Sequence, residues 1–310
     1  MIVVCLDQCA ISELAKGDQT ERPIGKLRKI LLRAVQELKL ICPVAKETII
    51  ETTGLKSAPQ RLKIYELHSR LAGDQVGGPL VAFKDMWKMI DEETLALARS
   101  QHPPSKFELF HWRRVNDDRL AEETWRGVTE SKERMLERVE SHELAHPGKP
   151  LIELTQKGIA LATEHASHVW RQVNRLLEGN EPDEGDQMGY ELALYLRRQR
   201  ITRAELEKLK EDIVHHRWET IPVIFNRTQL TARLEADFHR TNKPRRYKVN
   251  DEFDIPRLSV ALWSADLIIT DSAMAQLCRT VKTERWTRTK VFSVREVPTI
   301  IQYLESLLAT

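Results

Sequence analysis

Two stretches of β/α alternation lie at opposite ends of the chain, separated by a long run with a different character, and this constrains the fold more than any other feature. The first begins with Ile2 to Leu6, an apolar, β-branched run suited to a strand buried on both faces. Asp7 follows directly, and Ala10, Ile11, Leu14 and Ala15 then recur at helical spacing. Leu27, Ile30, Leu31, Ala34, Val35 and Leu38 predict a second helix over 24–38, followed by a short strand over 39–43 and a helix over 46–53. After Asn250 the pattern reads as a helix over 255–264, a strand over 266–270, a helix over 272–281, a strand over 290–293 and a helix over 297–308. Parallel strands need crossover helices and cover on both faces. Either end alone is too small to bury a sheet, so the two, about 120 residues together, are expected to form one domain.

From about residue 58 to 240 the segments are charged and helix-periodic, over roughly 60–72, 82–100, 117–145, 151–178, 187–198, 202–217 and 220–239, and strand-like runs almost vanish. Pro and Gly punctuate them at Gly77 to Pro79, His102 to Pro104, His146 to Pro150 and Gly179 to Gly185. No internal repeat or low-complexity tract is evident. The expected architecture is α/β: a parallel sheet flanked by helices, built from 1–57 and 246–310, with a large all-helical insertion over 58–245.

A hydrophobic content of 41% with 30% charged residues suits a globular chain. No run approaches ~18 uncharged apolar residues, and the N-terminus lacks the positive flank and cleavage pattern of a signal peptide, so a cytoplasmic protein with no membrane partner is expected. Cys5, Cys9, Cys42 and Cys278 form no CxxC pair, and three lie in apolar segments where a thiol acts as a small hydrophobe. The net charge of +2 is too small to establish a nucleic-acid partner, but Arg240, Lys243, Arg245, Arg246 and Lys248 cluster without an intervening acid.

In open α/β sheets functional groups gather beyond the C-terminal ends of the strands. Asp7 and Asp271 each follow a predicted strand there, while Glu51 and Asp254 lie on or at the start of helices expected nearby. Converging carboxylates without matching cations repel one another, which points to a hard divalent cation such as Mg²⁺ or Mn²⁺. The structural alternative is that Asp7, Asp254 and Asp271 each cap a helix.

The segments LDQCAISELAK, CPVAKETIIETTGL and NDEFDIPRLSVALWSADLIITDSAM resemble the three signature regions of PIN-like domains. The resemblance covers only the two ends of the chain. It implies a metal-dependent endoribonuclease in which Asp7, Glu51, Asp254 and Asp271 surround Mg²⁺ or Mn²⁺ and hydrolysis leaves a 5′-phosphate. Glu47 competes with Glu51, Asp251 with Asp254 and Asp266 with Asp271, the later member of each pair fitting the family spacing better. Cys9 stands where a polar Ser or Asn is often found two residues after the first Asp. Arg245, Arg246 and Lys248, just before Asp254, are placed to hold an RNA backbone. Small PIN domains often act as bacterial toxins held by an antitoxin; this chain is much longer, so the insertion is expected to cover the site, select a structured RNA or bind an inhibitory or scaffold protein, in a toxin or defence setting.

Two other classes stand beside this one. His142-Glu143-His146 matches the HExxH pattern of zinc peptidases, with Glu164 or His165 as a further ligand, although Pro147 and Gly148 end the helix immediately afterwards. The third is a catalytically inactive PIN-like scaffold whose helices bind RNA or protein. His165, His168, His215 and His216 read as exposed helical residues, and Trp263 and Trp286 as packing residues.

Overall fold

The computed structural model describes residues 1–16, 22–73, 80–110, 154–238 and 250–309. They divide into two compact units. One contains the described residues up to Lys84, Phe107–Phe110 and those from Asn250 onward; the other contains Asp85–Lys106 and residues 154–238.

The first unit is organised by a four-stranded parallel sheet. Strand β1 (Ile2–Leu6) leads into α1 (Gln8–Lys16) and α2 (Pro23–Gln36), then β2 (Leu40–Ile41), α3 (Lys46–Thr53) and α4 (Ala58–Leu71). The chain returns as α10 (Asp251–Ser264), β5 (Leu267–Thr270), α11 (Ser272–Val281), β6 (Lys290–Ser293) and α12 (Val297–Leu308). Strand order is β2-β1-β5-β6. The first strand of the chain is thus internal, paired with β5 from the far end in the register Val4↔Leu267, Cys5↔Ile268, Leu6↔Ile269. Both strands are continuously apolar because neither faces water: Val4, Cys5, Leu6, Leu267, Ile268 and Ile269 are all buried. Helices α1, α2, α4 and α12 close one core with these strands through Ile11, Leu14, Leu27, Leu31, Ile64 and Ile300. Each of these side chains is at most 1% exposed, and truncating one to Ala at such a site typically costs about 2–5 kcal/mol.

Two expectations change in this unit. Ala82 and Phe83, expected at the head of a helix over 82–100, belong instead to β3 (Leu80–Phe83), which pairs antiparallel with β4 (Phe107–Phe110). The insertion is therefore not all-helical. The Val44 amide and carbonyl, just past β2, bond to Val81 O and Phe83 N at 2.9 Å each, so backbone groups that β2 leaves open are satisfied by β3. Leu80 and Ala82 join Val44 and Ala72 in a small second core. Helix α4 likewise shares the main core, so the sheet unit continues past residue 57 to Lys84.

The second unit is helical: α5 (Met86–Arg99), α6 (Leu154–Leu177), α7 (Gln187–Arg198), α8 (Arg203–Val214), a 3-10 turn (Trp218–Thr220) and α9 (Pro222–Phe238). Helix α6 packs on α7, α8 and α9. The approach of α7 to α6 requires Gly189, where a Cβ would stand 2.9 Å from the His168 carbonyl oxygen. Asp85 caps α5, and Thr202 with Glu205 forms a reciprocal capping box on α8. No described helix is long and apolar enough to cross a membrane.

Candidate functional site

Asp7 is the first residue beyond β1 and is 3% exposed. Its amide extends the ladder to Ile269 O at 3.1 Å, fixing it beside the end of β5. Its Oδ1 accepts the Ala10 amide at 2.8 Å, capping α1, while Oδ2 accepts the Thr270 hydroxyl at 2.6 Å and the Asp271 amide at 2.9 Å. Asp271 is the N-cap of α11, its Oδ1 accepting the amides of Ala273 and Met274 at 2.6 and 2.8 Å. The capping role and the convergence are therefore both real. Parallel pairing of β1 with β5 brings the two aspartates together from opposite ends of the chain.

Glu51 lies in the last turn of α3, which packs on α10. Asp254 is in the first turn of α10, which starts about a turn before the expected residue 255 and so carries Asp254 inside it. The helix starts at Asp251 and runs through Pro256, and the missing proline N–H falls inside it rather than at its start. Asp254 is therefore not an N-cap; that position is Asn250.

Arg257, three residues beyond Asp254 and 3% exposed, ties these acids together. Its Nη1 donates to Glu51 Oε2 at 3.0 Å, its Nη2 donates to Asp254 Oδ1, and Nη2 stands 3.7 Å from Asp7 Oδ2. The expectation of acids converging without a matching cation is thus corrected: the cation is a neighbour on the same helix. The signal was legible as Asp254 and Arg257 at i,i+3, a spacing that puts both on one helix face.

One guanidinium against four carboxylates leaves the cluster strongly acidic. Burial raises Glu51 to about 6; Arg257 opposes this, and Asp7 and Glu47 add to it. Burial raises Asp254 to about 7 against the same guanidinium, with Glu51, Asp7 and Asp271 contributing. Arg257 itself stays protonated: burial disfavours its charge, but Asp254, Asp7 and Glu51 outweigh that. The Cys9 thiol, beside Asp7, is pushed far up by burial and then by the Asp7 charge, so it is no nucleophile at neutral pH.

Among the described residues, Glu51 Oε1, Asp254 Oδ2 and Asp271 Oδ2 have no hydrogen-bond partner. All-oxygen donors, excess negative charge and these open oxygens fit a hard cation such as Mg²⁺ or Mn²⁺. Among the described residues no three His, Cys, Asp or Glu side chains are gathered as ligands of one ion, and Arg257 holds one oxygen each of Glu51 and Asp254.

Of the competing acids, Asp266 is at the opposite end of β5, accepting the Val3 amide at 2.8 Å, away from Asp7's carboxylate. Glu47 is half-buried one turn before Glu51, and Asp251 is buried one turn before Asp254. Arg240, Lys243, Arg245, Arg246 and Lys248, and the His142-Glu143-His146 motif, lie outside the described residues. His165 and His168 are half-buried rather than exposed, His168 being bonded to Asp186 at 2.5 Å. Trp263 and Trp286 are each 36% exposed, more open than packing residues of a core. Cys5, Cys42 and Cys278 are buried free thiols. No protein-family model, curated protein or solved structure matches the chain.

Proposed function

We propose that the sheet unit is a PIN-like, metal-dependent endoribonuclease centre that hydrolyses RNA phosphodiester bonds at Asp7, Glu51, Asp254 and Asp271. The observation that carries this reading is the meeting of four acids at the C-terminal edge of one parallel sheet, two of them raised to about 6 and 7 despite a buried arginine in contact. A site that tolerates this much uncompensated charge is suited to a cation-dependent reaction.

The four carboxylates would hold Mg²⁺ or Mn²⁺, which when bound lowers the pKa of a coordinated water and offsets charge developing on the phosphate. Asp7 is locked by three donors, the Ala10 and Asp271 amides and the Thr270 hydroxyl, so its orientation does not depend on a ligand. Thr270 is a positioning residue. Arg257 aligns Glu51 with Asp254 and prevents the acids from repelling one another open. Arg245, Arg246 and Lys248 supply the charge to hold an RNA backbone, and the helical unit is the part available to select RNA or to bind an inhibitory or scaffold protein.

The expected outcome is Mn²⁺- or Mg²⁺-dependent cleavage of single-stranded RNA leaving a 5′-phosphate, abolished by Asp7→Asn with the circular dichroism spectrum unchanged. A second reading, an inactive scaffold on the same fold, is favoured by one observation: Arg257 already satisfies the inner oxygens of Glu51 and Asp254. Full-length protein that binds RNA but cleaves none with either ion would select it.

A further inference from the structure

The helical unit contains a cavity of about 450 Å³ bounded by α5, α6, α7, α9 and the 3-10 turn. Its size falls in the range of small-molecule sites. Trp87 and Trp218 are among its aromatic and aliphatic walls, and its polar groups are of complementary kinds. Asp91 on α5 and Glu191 on α7 face each other electrostatically and, among the described residues, have neither a hydrogen bond nor an ion pair. Two carboxylates are acceptors only. Burial, then Glu191, raises Asp91 to about 7, so ionising both carboxyls is costly here and an occupant that donates to them lowers that cost. Also lining the cavity, the Arg227 guanidinium lies 4.6 Å from the centroid of the Trp87 ring, with its Nη1 3.5 Å from His165 Nδ1. Burial and then that guanidinium lower His165 to about 4 and keep it neutral.

We infer that this cavity is a binding site for a guanine base. An organic cation would satisfy Asp91 and Glu191 but would meet Arg227 in the same space. A simple anion would suit Arg227 but meet the two carboxylates. The occupant must therefore present donors and acceptors on one flat body with faces for tryptophan. Guanine has adjacent N1–H and exocyclic N2–H donors for carboxylates, and adjacent O6 and N7 acceptors for arginine. Adenine and cytosine each lack the paired donors. Stacking on an indole adds binding energy without depending on base identity. The cavity lies wholly in the helical unit and does not depend on the nuclease reading; the base would come either from a free nucleotide or from a strand of RNA.

The test is titration of the full-length protein with GMP, followed by tryptophan fluorescence and calorimetry. Saturable binding is expected, weakened about tenfold or more by Asp91→Asn or Glu191→Gln, with AMP and CMP weaker by a similar factor. IMP, lacking the 2-amino group, should also bind less tightly than GMP. A U-rich oligonucleotide carrying one G, compared with all-U, distinguishes the sources: preference for the oligonucleotide over GMP assigns the site to RNA, and the reverse assigns it to the free nucleotide. Asp7→Asn should leave GMP affinity unchanged whether or not RNA is cleaved. Because Asp91→Asn relieves a buried charge, it is expected to fold, as its circular dichroism would verify. Absence of guanine preference with both ligands, or affinity unchanged in both carboxylate variants, overturns the assignment.

Discussion

Burying Glu51 and Asp254 beside Asp7 costs free energy that Arg257 returns only in part, since both carboxyls remain above the ordinary range with the guanidinium in contact. Their folded-state values are raised, so the stability linked to them is fully present below the unfolded values near 4 and is lost as pH rises through about 6 to 7. Removing Arg257 raises them further. Arg257→Ala should cost about 3–5 kcal/mol at pH 8, the usual penalty for breaking a buried pair, and distinctly less at pH 5. Mn²⁺ should raise the Tm of the variant more than that of the wild type; urea denaturation at the two pH values and a thermal shift with Mn²⁺ read both. An equal deficit at both pH values would contradict this account. His68 works in the opposite sense. It is 2% exposed, and burial lowers it to about 4 against its bond to the Pro43 backbone. The fold therefore refuses a proton that the unfolded chain accepts below about 6.5. Relative to His68→Gln, the wild type should lose on the order of 3 kcal/mol between pH 7 and pH 4. A pH-independent difference in stability would show that His68 titrates normally.

The junction of β5 with α11 places one aspartate in two roles that can be separated chemically. Asn caps a helix about as well as Asp, whereas Ala does not. Asp271→Asn should therefore keep stability within about 0.5 kcal/mol, and Asp271→Ala should lose about 1 kcal/mol, by chemical denaturation. Both should lose RNA cleavage; full activity in Asp271→Asn would reduce the residue to a cap. Elements of this kind were legible because one local pattern decided them: β1, α3, α11, β6 and α12 match the spans their periodicity predicts. Misreadings came where a tertiary partner decided the outcome. Leu80–Phe83 is short and apolar, and it becomes a strand by pairing with Phe107–Phe110, with Val44 bonded along its other edge. The helix expected over 255–264 begins a turn earlier, at Asp251, and carries Asp254 inside it. Arg257 went unassigned although its spacing from Asp254 was visible, because the apolar residues around it described only a buried helix face.

At the scale of the molecule, the chain closes on itself through β1 and β5, and that pairing brings Asp7 and Asp271, more than two hundred positions apart, into hydrogen-bonding contact. The sheet and the meeting of Asp7 with Asp271 could be anticipated, because neither end buries a sheet alone. The edge of the insertion could not, since α4 looks like the charged helices that follow it and only its packing on α1, α2 and α3 assigns it to the sheet unit. The central claim is that the four acids at the sheet edge are a cation site, with Arg257 as their resident counter-charge. Its most direct test is the anomalous-scattering map of crystals soaked in MnCl₂. A peak within ligand distance of Asp7, Glu51, Asp254 and Asp271 is expected; a map with no peak there, or with its strongest peak at His142 and His146, contradicts the claim.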